Sequence, residues 1–70
     1  MDDRARIGLR IAELRKKRGL TQEALAIKAG ILLQSLVRIE AGKFSVKIDT
    51  LSKIASALDC TLEIIEDGLV

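Results

Sequence analysis

Between Thr21 and Gly42 the sequence writes two short helices with almost nothing between them. Thr21 is a good N-cap, because its hydroxyl can accept from an exposed amide of the first turn, and Glu23 sets a negative charge at the positive end of the same segment. Ala24, Leu25, Ala26 and Ala29 follow, and Gly30 offers the left-handed residue that ends such a helix. A second segment begins near Leu32 or Leu33 and runs to Ala41, before Gly42. Only one or two residues then separate the two. A connection that short, with glycine in it, suits helices that cross at a steep angle rather than lying side by side. Ala26 and Ala29 make a face small enough for a close crossing. Ile31, Leu36 and Ile39 are the expected inward anchors.

The flanking sequence is helical as well. Proline is absent, and helix formers dominate a chain that is nearly half apolar. From about Arg4 to Arg18, Ile7, Ile11 and Leu14 recur at i, i+4 and i+7. Asp3 is placed to cap that segment, and Arg15-Lys16-Lys17-Arg18 complements its negative end before Gly19. Residues 43–47 form a loop. Ile48, Leu51, Ile54, Ala55 and Leu58 then fall at helical spacing, with Asp49 near the positive end. The spacing thus predicts one all-α domain over residues 1–70, with helices at about 4–18, 21–29, 32–41 and 48–58. Residues 61–66 alternate like a short strand, with a short fifth helix as the competing reading. A lone strand needs a partner, and the simplest is the same strand of a second copy across a two-fold axis. Leu62, Ile64 and Ile65 are then the expected dimer interface.

Several function classes are disfavoured. A single cysteine, Cys60, cannot form an internal disulfide, and with no histidine the usual metal ligands are missing. No apolar run approaches the roughly 18 residues that span a bilayer, and Met1-Asp2-Asp3-Arg4 has no signal-peptide core behind it. The chain reads as cytoplasmic and metal-free, without a cofactor. It has no phosphate loop, no Cys–His pair and no carboxylates at acid–base spacing, so it reads as no enzyme. The net charge of +2 conceals an asymmetry. Residues 1–48 carry eleven basic and five acidic side chains, whereas residues 49–70 carry one and five. A basic front suggests a polyanionic partner; an ordinary solvated surface is the plainer alternative.

The ordered set Leu20-Thr21-Gln22-Glu23-Ala24-Leu25-Ala26, Ala29-Gly30-Ile31, Leu36 and Arg38-Ile39-Glu40-Ala41-Gly42 resembles the Cro and phage-repressor type of helix-turn-helix family, also called the xenobiotic-response-element family. The resemblance covers about residues 7–65. It takes in Ile11, Leu14, Arg15 and Gly19 upstream, and Leu51, Ile54, Ala55, Ala57 and Leu58 downstream. It implies a lambda-repressor-like domain of four to five helices, bacterial or phage in origin. The implied activity is that of a transcriptional regulator of double-stranded DNA, a repressor acting as a homodimer on a palindromic operator.

Roles follow from the resemblance position by position. Leu33, Gln34, Val37 and Arg38 fall where the family reads bases, and Gln34 suits bidentate pairing with adenine. Gln22 falls where the family bonds a phosphate. Ser35 suits either base or phosphate, and Lys43 and Lys47 sit in a loop that lies near the DNA backbone. Arg15 and Glu40 match a structural ion pair. Arg38 could instead pair with a nearby carboxylate, and Gln22 and the lysines could be plain solvated surface. Cys60 reads as a small apolar filler.

The sequence departs from the family at the start of its second motif helix. Leu32 stands where a capping Ser, Thr or Asp is usual, and Leu33 and Val37 are apolar where polar readers are common. Such residues either touch thymine methyl groups or form a protein-binding surface. The latter describes a protein-interaction module. A related alternative is an antitoxin, since stand-alone family members with a tail like Thr61–Ile65 often resemble antitoxins that bind a toxin and repress their own operon.

Overall fold

In the computed structural model, described over residues 3–59, four helices follow one another: α1 (Asp3–Lys17), α2 (Gln22–Ala29), α3 (Leu33–Glu40) and α4 (Ile48–Ala57). The first three end in the same way. Leu20 N–H donates to the Arg15 carbonyl, Ile31 N–H to Ala26 and Lys43 N–H to Arg38. Each closure passes through one left-handed residue, and glycine stands at all three positions. α4 differs, because Asp59 takes that conformation (φ 56°), a region Asp tolerates better than most residues.

The core draws on every helix. Ile11, Leu25, Leu36, Ile39, Ile54 and Leu58 are its largest fully buried side chains, and Leu14, Ala26, Ala29, Leu51, Ala55 and Ala57 fill the space between them. α3 packs against both α1 and α2, and α2 also packs against α4. Full burial of a Leu or Ile is worth about 1.5–3 kcal/mol relative to exposure. Leu36 and Ile39 therefore fix which face of α3 is turned inward.

The end of α3 is pressed onto α1. Gly8 is buried in α1, and a Cβ built there would stand 2.4 Å from the Ile39 carbonyl oxygen and 2.8 Å from that of Glu40. Gly42 (φ 74°) closes the same contact, since a Cβ there would lie 2.9 Å from Ala5 Cα. Arg18 Nε reaches the Leu58 carbonyl at 2.8 Å and ties the end of α1 to the end of α4.

Several expectations need correction. Asp3 lies inside the first turn of α1, paired with Arg6 three residues on, and does not cap it. Leu32 occupies the N-cap position of α3 with extended backbone, so three residues separate α2 from α3, not one or two. Ile48, the first residue of α4, is 64% exposed and stands outside the core that Leu51, Ile54 and Ala55 enter. Ile7 and Ile31 only lean on the core as half-buried neighbours. The described helices contain no strand. The strand-like segment 61–66, the interface residues Leu62, Ile64 and Ile65, and Cys60 lie outside the described residues.

Candidate nucleic-acid interface

With Leu36 and Ile39 turned inward, helical periodicity sends residues 33, 34, 37 and 38 to the opposite side of α3. Leu33 and Val37 are each 42% exposed, and Leu32 just ahead of them is 72% exposed. Gln34 and Arg38 are exposed beside them, while Ser35 is half-buried. These six residues line one shallow, open depression of about 580 Å³. A smaller hollow of about 250 Å³ lies beside it where α3, the following loop and α4 meet, and it brings Ser35 together with Lys47. Lys43 is exposed in the same loop.

The exposed charge along this segment is of one sign. From Leu32 to Lys47 the only carboxylate is Glu40, and its side chain is 7% exposed and turned inward. Arg38, Lys43 and Lys47 are left as exposed cations. The start of α3 adds to them. Leu32 provides no side-chain cap, and the first turn holds no acidic residue. The unpaired amides and the positive end of the helix are therefore not neutralised locally. At α2, by contrast, the Thr21 hydroxyl accepts from Ala24 N–H at 3.0 Å.

Two supports hold this face in position. Glu40 takes a forked pair of bonds from Arg15, with Nε at 2.8 Å and Nη2 at 3.1 Å. The Arg15 side chain is itself only 12% exposed. Its Nη1 donates to the Leu20 carbonyl at 2.8 Å, and Gln22 Nε2 donates to Glu40 Oε1 at 3.1 Å. The end of α1, the start of α2 and the end of α3 are thereby joined through one carboxylate. The second support is Phe44, half-buried against the core, whose ring centroid lies 5.2 Å below the Arg38 guanidinium. Such a contact is worth about 0.5–1 kcal/mol at an exposed site, enough to favour one orientation of the arginine.

Leu33, Gln34, Val37 and Arg38 are thus on one face, with Ser35 and Lys47 at its edge. Gln22 sits apart, bonded to the end of α3. Sequence reasoning did not single out Phe44, Gly8 or the Gln22–Glu40 bond. Phe44 is the only aromatic residue, and an aromatic alone in a polar loop is the signal that could have exposed it. Among the described residues no group of His, Cys, Asp and Glu is arranged to hold a metal ion, and no helix is long and apolar enough to cross a membrane.

Residues 11–65 match the helix-turn-helix family described as HTH_3. A helix-turn-helix-type transcriptional regulator of Archaeoglobus fulgidus is 39% identical over 54 residues, which cover 77% of each chain. The regulator y4mF of Sinorhizobium fredii is 34% identical over 64 residues, covering 91% of this chain and 84% of its own. Among solved structures, the restriction-modification controller protein C.AhdI of Aeromonas hydrophila superposes with a TM-score of 0.88 at 33% identity, over 90% of this chain and 96% of its own. The exposed helix, the excess of cations from Leu32 to Lys47 and these likenesses agree, and the chain belongs to the HTH_3 helix-turn-helix family, whose matched members are transcriptional regulators.

Proposed function

We propose that the domain binds double-stranded DNA sequence-specifically and acts as a repressor, as a homodimer on a palindromic operator, with α3 in the major groove. The observation that carries this reading is the outer face of α3. Its C-terminal end is held by the Arg15–Glu40 pair and by Phe44 beneath Arg38, it is flanked by Arg38, Lys43 and Lys47, and the segment from Leu32 to Lys47 has no exposed carboxylate. The major groove is wide enough to admit such a helix. Leu33, Gln34, Val37 and Arg38 meet base edges. Lys43, Lys47 and Ser35 meet phosphates. Gln22 spends one amide hydrogen on Glu40 and offers its second to a phosphate, beside the outward amides of the α2 start. In a dimer the two copies of α3 lie about 34 Å apart, one turn of DNA. No observation on the described residues favours the toxin-binding alternative, whose basis is the tail.

Selection from random-sequence duplex DNA, followed by a salt titration on the recovered sequence, tests this reading. An enriched palindrome is expected. Lys43 and Lys47 on two protomers neutralise four phosphates, so the slope of log K against log salt is about −3.6. Affinity then falls roughly 150-fold between 50 and 200 mM salt. A folded protein that enriches no sequence, or whose binding is flat across that range, refutes the reading.

A further inference from the structure

The outer face of α3 carries two parallel rows. Leu33 and Val37 form one at i, i+4, and Gln34 and Arg38 form the other. Residues so spaced are neighbours on a helix, with Cβ atoms about 5–6 Å apart. The apolar row is not core, since both side chains are 42% exposed, and nothing within the described domain covers it. Its surroundings narrow what can cover it. An apolar protein surface would have to accept Arg38, Lys43 and Lys47 around the contact, with no exposed carboxylate between Leu32 and Lys47 to offer in return. A DNA major groove supplies both chemistries at once, with phosphates along its edges and the 5-methyl group of thymine on its floor.

The two rows also agree on one base pair. Gln34 is suited to the N6 and N7 edge of adenine, and the thymine paired with an adenine presents its methyl in the same groove. We infer that this protein selects A·T pairs in its operator by packing thymine 5-methyl groups against Leu33 and Val37, alongside the polar readout by Gln34. The inference rests on the reading of α3 as the groove-entering helix and names what part of that helix supplies the discrimination. Leu33 and Val37 are then specificity-determining residues, in place of the polar side chains usual there.

The test uses the operator recovered by selection, synthesised with each thymine in turn replaced by deoxyuridine. This change deletes one methyl group and leaves the base pairing intact. Wild-type protein is expected to bind about fourfold more weakly for each contacted methyl lost, the value of one buried methyl group. Leu33→Ala and Val37→Ala are exposed changes in a helix, so both variants should fold. Each is expected to lose its sensitivity to deoxyuridine at the position it contacts. A selected operator that binds tightly and ignores every deoxyuridine substitution overturns the methyl reading while leaving DNA recognition by α3 intact. So does methyl dependence that persists in both variants, or wild-type operator binding by Leu33→Ala together with no methyl effect, as a protein-covered face would give. If no sequence is enriched at all, DNA recognition by α3 fails first and the methyl reading falls with it.

Discussion

Replacing Glu40 by alanine removes the group on which three donated hydrogen bonds converge, two from Arg15 and one from Gln22. The Arg15 side chain, 12% exposed with Glu40 in place, then keeps the Leu20 carbonyl as its remaining partner in this network. Breaking a buried pair by deleting one member costs about 3–5 kcal/mol, because the surviving charge stays desolvated. Arg15 keeps some access to water, so the lower end, about 3 kcal/mol, is expected. A 70-residue domain has a total stability of roughly 4–10 kcal/mol, so the loss is a large fraction of the whole. At about 4–8 °C per kcal/mol for a domain of this size, Tm falls by roughly 12–24 °C. Deleting both partners removes the stranded charge. Glu40→Ala/Arg15→Ala should therefore cost less than the sum of the single changes, by about 1.5 kcal/mol or more. Urea unfolding followed by circular dichroism on wild type, both single variants and the double variant measures each term. A Glu40→Ala cost below about 0.5 kcal/mol, or single effects that add within the roughly 0.3–0.5 kcal/mol expected of independent sites, refutes the argument that this carboxylate joins three helices.

Three further changes probe other parts of the account. Gly8→Ala improves intrinsic helix propensity by about 1 kcal/mol, yet it drives a methyl onto the Ile39 and Glu40 carbonyls. Net destabilisation of about 1–3 kcal/mol is expected in thermal or urea unfolding, and a neutral or stabilised variant would show that the α1–α3 approach is looser than described. Leu32→Ser supplies α3 with its missing cap at a position 72% exposed, so stability should rise by about 0.5–1 kcal/mol; a loss would mean that Leu32 packs on something. Phe44→Leu retains an apolar contact with the core but removes the aromatic face beneath Arg38. Operator affinity measured by fluorescence anisotropy should weaken about two- to fivefold with little change in salt slope, and unchanged affinity would dismiss the positioning role.

Most of the fold was legible because its signals are local. Gly30 and Gly42 mark helix ends wherever they stand near the last turn, and Thr21 caps α2 by reaching only three residues along the chain. The stripe from Ile11 to Leu14 and the pair Leu36 and Ile39 needed only helical periodicity to be placed inside. Periodicity failed at Ile48, the first residue of α4, because it reports which face a residue lies on and not whether anything covers that face there. Gly8 looks like a mere weakness within a helix until the α3 carbonyls are in view. The Arg15–Glu40 pair spans 25 residues and Gln22–Glu40 spans 18, distances over which spacing carries no information. The first came only through family resemblance, and the second had no sequence signal. The loop path that brings Phe44 back beneath Arg38 is likewise set by tertiary packing.

The central claim is that the outer face of α3 reads bases. Its most direct test is selection from random duplex DNA, run in parallel with wild type, Gln34→Ala and Arg38→Ala. Both side chains are exposed, so folding should be unaffected and any change reports recognition. The account predicts that each variant still binds its operator but loses preference at its own position in each half-site, with about 1–3 kcal/mol less discrimination there. Base preferences identical to wild type in both variants, or a uniform loss of affinity across all sequences, would contradict it.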